Sequence, residues 1–234
     1  MKITFALCAL LLLNLNSHAQ TDTVKRKYAD TEPLIIRYRA LCQKAWDSNN
    51  SKLAYTYYDS ITNCINHSYI GRYKFKTIDD KEFDVSKTKK PIFLTVSATW
   101  CGPCRAEIPA LNKIVEEYAD RIDFLVLFWD LKSDLTTLAP QYNNRIVLIP
   151  SEVKSLDNAH TIEIAGFRCI TGYPSMFLIN GNKQILSYQA GAIPTSYVDE
   201  KGKTVTITEE EAFKGNYMRL KEDMELLLKD EPVK

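Results

Sequence analysis

Cys101 and Cys104, two cysteines separated by two residues, are the positions of this chain best equipped for chemistry. A thiol pair at that spacing closes a small disulfide ring or supplies two corners of a metal site. The metal alternative needs two further ligands, and the tempting pair is Cys64 with His67, in a different segment. Zinc also fits poorly with Pro103, which removes a backbone N–H between the two thiols. The redox alternative requires only that Cys101 sit where a thiolate is stabilised, as at a helix N-terminus, with Cys104 in reach to resolve a mixed disulfide.

The flanking sequence meets that requirement. Ile92 to Val96 is a compact apolar run that predicts a strand buried on both faces. It leads into Thr99-Trp100-Cys101-Gly102-Pro103-Cys104, after which Ile108, Leu111, Val115 and Tyr118 recur at helical spacing. Cys101 then falls at the helix start and Cys104 one turn in, the less exposed of the two. Ile122 to Trp129 predicts a second buried strand, 131–141 a short helix, Arg145 to Ile149 a strand and 156–167 a helix. Ser175 to Ile179 and Gln184 to Tyr188 read as a hairpin around Asn180-Gly181.

Upstream, Leu34, Tyr38, Leu41 and Ala45, and then Leu53, Tyr57, Ile61 and Ile65, predict two helices broken at 47–50. A hairpin follows, with Tyr73 and Phe75 on one strand and Phe83 and Val85 on the other. Residues 20–31 read as polar and unstructured. Downstream, 199–203 suggests an extra loop or hairpin. Thr208 and Glu211 have capping-box spacing ahead of a stripe of Phe213, Tyr217, Leu220, Met224 and Leu227.

The 234 residues carry 30 Lys and Arg against 29 Asp and Glu, a net charge of +1, which argues against nucleic acid as a partner. Lys2, the apolar run 3–13 and Ser17-His18-Ala19 have the layout of a secretory leader cut after Ala19. That run is shorter than the roughly 20 residues of a spanning helix, so no stable membrane insertion is expected after cleavage. Export to an oxidising compartment, the periplasm, is the expectation. Cys42, Cys64, Cys101, Cys104 and Cys169 remain after the leader, an odd number, so at least one thiol has no partner within the chain.

Trp100-Cys101-Gly102-Pro103-Cys104 resembles the active-site sequence of thioredoxin, and Pro109 resembles the proline inside that family's active-site helix. Tyr173-Pro174 resembles its cis-proline, which shapes the substrate groove. The resemblance covers about Tyr69 to Ala192. The run Cys104 to Pro109, the leader, the leading hairpin and the long gap to Pro174 resemble the exported TlpA/ResA-like branch. It implies an α/β thioredoxin fold, a central mixed sheet flanked by helices, with an N-terminal helical extension and a C-terminal helix. The organisation expected is a leader at 1–19, the extension at 20–68, the thioredoxin-like domain at 69–192 and a C-terminal loop and helix at 193–234.

The same resemblance implies thiol–disulfide exchange through Cys101 and Cys104, with Trp100, Gly102, Pro103, Tyr173 and Pro174 forming the groove. It implies no cofactor beyond that disulfide, and no metal. Protein thiols and disulfides would be the substrates, and a membrane thiol carrier the electron donor. Gly102-Pro103 points to a reductase. An oxidase or isomerase, and a binding module with a structural CxxC, are the rivals. One departure is Thr95, where thioredoxins bury an aspartate; Glu107 is a substitute, or simply a solvated helix glutamate.

Three cysteines stay open. Helices paired around 47–50 leave Cys64 about 12 Å beyond the level of Cys42, while a bridge needs Cα atoms within about 7 Å. Crossed helices or a shifted turn would close that gap. Cys169 is either a third redox thiol or a small buried apolar side chain.

Overall fold

The computed structural model describes residues 25–153, 161–199 and 202–229. The leader and its cleavage site lie outside these residues. The first described segment corrects an expectation: Lys27 bridges Tyr69, 28–31 form a 3-10 turn, and Tyr28 is buried. Its ring stacks on Phe167 and meets Phe177 edge-on. Partners about 140 positions away fix this segment, so its own polar composition could not reveal the order.

Helices α1 (Glu32–Asp47) and α2 (Ser51–Ile65) follow, with the side chain of Asn50 accepting from Leu53 N at 3.1 Å to start the second. Their buried stripes differ from those expected. Ile35 is buried and Leu34 exposed in α1; Ala54, Ile61, Cys64 and Ile65 are buried and Leu53 exposed in α2. Apolar residues stand side by side at 34–36, so helical periodicity alone could not choose among them.

Strands β1 (Lys74–Lys76) and β2 (Glu82–Asp84) make the expected hairpin. Strand β3 (Ile92–Ser97) is wholly buried and runs into α3 (Gly102–Tyr118). Strand β4 (Asp123–Leu131) is parallel to β3, and β5 (Ile146–Ser151) is parallel to β4. The single helix expected at 131–141 is instead two 3-10 turns, Lys132–Leu135 and Ala139–Gln141. Pro140 lacks the N–H that a continuous helix would need there.

Where a helix was expected at 156–167, the described part is strand: β6 (Ile162–Ile164) pairs antiparallel with β7 (Phe167–Cys169). Ala165 and Gly166 both have positive φ, the geometry of a tight hairpin turn. Burial alternates along each strand, with Glu163 and Arg168 facing out. Residues 156–160 lie outside the described set.

Strand β8 (Ser175–Ile179) is antiparallel to β3 and to β9 (Ile185–Ala190). The suggested downstream hairpin is β10 (Ser196–Val198) with β11 (Thr204–Thr206). Helix α4 (Glu209–Lys229) begins with the expected reciprocal cap, Thr208 N to Glu211 Oε2 at 3.0 Å and Glu211 N to Thr208 Oγ1 at 3.2 Å. Leu220, Met224 and Leu227 are buried as expected. Phe213 is exposed, and Ala212 and Asn216 are buried in its place.

The central sheet has the order β5-β4-β3-β8-β9. One face carries Ile92, Leu94 and Val96 into a core shared with Tyr28, Phe75 and Phe167; the other carries Phe93 toward Leu111 of α3 and Leu220 of α4. Strand β3 is central, with a parallel neighbour on one side and an antiparallel one on the other, so the chain reverses its winding at its carboxyl end. Open α/β sheets place their sites at such a point.

Candidate active site

Cys101 and Cys104 meet at that end of β3. Cys101 is the N-cap of α3, and its Sγ accepts from Cys104 N at 3.2 Å. The two sulfurs form a disulfide with a Cα–Cα distance of 5.3 Å. Pro103 lies in the first helical turn, where its missing N–H costs nothing. Pro109 lies inside the helix. Both cysteines are buried to the same degree, which corrects the expectation that Cys101 would be the more open.

Asp130, near the end of β4, fixes the approach to the pair. Its buried carboxylate accepts from Thr99 N at 2.7 Å and from the Thr99 hydroxyl at 2.6 Å. This residue was missed in the sequence. The available signal was a carboxylate directly after an apolar strand, at the end where sites form.

Around the disulfide the surface is aromatic. Trp100 is 48% exposed, and its ring meets Trp129 and Tyr173 edge-on at 6.1 and 5.4 Å. Tyr173 packs on the cluster of Ala98, Cys101 and Cys104. The Tyr173–Pro174 peptide is cis. A Cβ at Gly102 would meet nothing within 4 Å, so the fold itself does not demand glycine there. The expected groove residues Trp100, Gly102, Pro103, Tyr173 and Pro174 are thus gathered on the chain segments bordering the disulfide.

The remaining cysteines are not part of this pair. Cys42 Sγ lies 3.4 Å from Ala54 O, so position 42 is level with 54 and far short of 64, and both thiols are free. Cys169 is a buried free thiol 3.2 Å from the Thr171 hydroxyl, and burial pushes its pKa up. Among the described residues, no group of three or more His, Cys, Asp or Glu is arranged to hold a metal ion.

Thr95 is buried on the α3 side of β3, and its hydroxyl meets no hydrogen-bond partner among the described residues. Glu107 is not the solvated helix glutamate of the simpler expectation. It is 3% exposed, one turn beyond Cys104 on the buried side of α3, and hydrogen-bonded to Arg219 of α4. Burial raises its pKa to about 7, against the lowering effect of Arg219. Asp223, a turn further along α4, accepts from Gln189 at 2.7 Å, and burial raises its pKa to about 6. The long-range partner Arg219 explains why the local sequence could not show that Glu107 is buried.

The thioredoxin family model matches residues 74–150, which include the disulfide and its supporting strands. A thioredoxin from Acidithiobacillus ferridurans is 48% identical over 44 residues, which cover 19% of this chain and 41% of that protein. A thioredoxin from Mycolicibacterium smegmatis is 30% identical over 90 residues, covering 38% of this chain and 78% of that protein. The chain belongs to the thioredoxin family. A thio-disulfide isomerase structure from Thermus thermophilus aligns at 16% identity with a TM-score of 0.43, covering 54% of this chain and 86% of that one. The family assignment accounts for the disulfide at the start of α3; the cis peptide at Pro174 lies beyond the matched segment. The assignment does not account for α1 and α2, which precede the matched segment.

Proposed function

We propose that this thioredoxin-family chain is a thiol–disulfide oxidoreductase that reduces protein disulfides in the bacterial envelope. The observation that carries this reading is the Cys101–Cys104 disulfide at the N-terminus of α3, beside the loop of Tyr173 and Pro174. In the reduced protein, the free N–H groups and dipole of that helix end favour Cys101 as a thiolate. The thiolate attacks one sulfur of a substrate disulfide, forming a mixed disulfide and expelling the other sulfur as a thiolate. Cys104 then loses its proton and attacks Cys101 Sγ, releasing the second substrate sulfur. Two electrons have passed to the substrate, whose two thiolates take up protons from water, and the chain is left with the bond seen here.

We assign Glu107 to the second step, on its burial and its place one turn along α3 from Cys104. A carboxyl titrating near neutrality, one turn from Cys104, takes the thiol proton and returns it during recharging. It supplies the function that Thr95 lacks. A membrane thiol carrier is the proposed electron donor, and the leader-like first 19 residues support an envelope location.

The test is the reduction potential, read by equilibrating the pure protein with glutathione redox buffers and following Trp100 fluorescence. A value on the thioredoxin side, nearer about -270 mV than about -120 mV, is expected. A value above about -180 mV would make the oxidase or isomerase reading the better one.

A further inference from the structure

Strand β7 pairs with β6 along one edge only. On its other edge the chain runs on through Ile170 to Pro174, and its backbone carbonyls at 168 and 170 point toward the N-terminal segment. Such groups need donors when covered. Among the described residues, no strand supplies them. The Tyr28 hydroxyl donates to Arg168 O at 3.0 Å, and the Arg39 guanidinium donates to Ile170 O. Glu32, at the start of α1, pairs with the Arg168 side chain. Three residues from the N-terminal segment therefore grip Arg168 and Ile170, in the stretch that leads into Tyr173 and Pro174. From the opposite side, the Ser175 hydroxyl donates to Gly172 O at 2.9 Å and lies 3.0 Å from the Thr171 hydroxyl.

Packing alone does not require this arrangement. Tyr28 and Ile35 already bury the contact between the extension and the core. A partly buried cation spent on a backbone carbonyl, rather than on a carboxylate, fixes the path of the main chain instead. Resting on the reading of the disulfide as an exchange site, we propose that the N-terminal extension is part of the substrate-binding machinery. Arg39 is its positioning residue, holding the Tyr173–Pro174 loop at the height where an extended substrate segment can lie beside Cys101. A substrate too small to span the loop gains nothing from this support, so the extension biases the enzyme toward protein disulfides.

The test uses the full mature chain with Arg39→Ala, Arg39→Lys and Tyr28→Phe, recharged by dithiothreitol in the insulin assay and, for the small disulfide, reduced beforehand and freed of dithiothreitol. Insulin is the protein disulfide and 5,5′-dithiobis(2-nitrobenzoate) the small one. For Arg39→Ala, kcat/KM on insulin should fall about tenfold, mainly through KM, equivalent to about 1.4 kcal/mol. The rate on the small disulfide should stay within about twofold, and Arg39→Lys should recover most of the loss. Deuterium uptake should rise in the peptide spanning 168–176 and stay unchanged across α3. Equal losses on both substrates, or no change in either insulin turnover or uptake, would overturn the proposal. The uptake measurement needs no turnover, so it decides the clamp even if the wild-type chain reduces neither disulfide, a result that would overturn only the exchange reading. Should Arg39→Ala fail to fold, Tyr28→Phe removes one hydroxyl and keeps the ring, and the same outcomes apply at smaller amplitude.

Discussion

Ile92, Leu94 and Val96 leave β3 for a core in which Phe75, Phe167 and Phe177 are fully enclosed. Phe93 and Thr95 leave the same strand on the opposite face, toward α3 and α4, where Glu107 and Asp223 are buried and Arg219 is half-buried beside Glu107. Among the buried polar atoms without partners in the described residues, Thr95 Oγ1, Arg219 Nε and Asp223 Oδ2 lie on this second side, while Tyr173 Oη lies against the first core and the disulfide cluster. Buried polar groups are costly unless satisfied, so a fold selected for stability alone would treat both faces alike. The difference teaches that one face of β3 holds the sheet together, while the other gives up stability to keep ionisable groups beside the cysteine helix.

The sharpest way to break this comparison is to damage the apolar face. Phe177 is enclosed by the rings of Tyr28, Phe167 and Tyr188 at 5.2 to 5.7 Å. Phe177→Ala should cost about 3–5 kcal/mol in urea denaturation. The disulfide reactivity of the folded fraction should stay unchanged, and a selective loss of reactivity would break the division of labour.

On the polar face the expected signature is pH dependence. Burial raises the pKa values of Glu107 and Asp223 above those of the unfolded chain. The folded state therefore holds more protons across this window, and stability falls as pH rises from about 4 to about 7. Each such proton contributes up to about 1.4 kcal/mol per pH unit. Urea midpoints at several pH values should show this slope. Glu107→Gln should flatten it in the upper part, toward pH 7, and leave the Asp223 contribution lower down. An unchanged slope would remove Glu107 from the account.

Smaller effects sharpen the picture. Thr95→Val replaces an unpartnered hydroxyl by a methyl of similar shape, so its stability should change by less than about 1 kcal/mol, in either direction. Gly102→Ala should be neutral or stabilising by up to about 1 kcal/mol, since space is open there and the position is helical. Calorimetry checks both. A loss above about 2 kcal/mol in either variant would show a packing constraint that the structure does not contain.

The apolar packing on both faces of β3 was legible in the sequence because its residues repeat at the spacing of their own element. The buried run 92–96, the stripe 108–118 and the strand 175–179 all fall where the pattern puts them. The cysteine pair was legible for a related reason, since strand, turn and helix are consecutive in the chain. What escaped depends on partners far away. Tyr28 is ordered by Phe167, Glu107 by Arg219, and the loop at 168–170 by α1. The hairpin at 162–169 escaped because a short apolar run fits strand and helix alike, and Ala165 gives no warning of its positive φ. Asp130 escaped because a single carboxylate after a strand carries no spacing at all.

The central claim is that Cys101 attacks and Cys104 resolves. It is tested by incubating the reduced Cys104→Ser and Cys101→Ser chains with an oxidised protein substrate and separating the products without reductant. The account predicts that Cys104→Ser accumulates covalent adducts, released by dithiothreitol and mapping to Cys101, while Cys101→Ser accumulates none. Adducts held by Cys101→Ser, or adducts of Cys104→Ser that map to Cys42, Cys64 or Cys169, would contradict it.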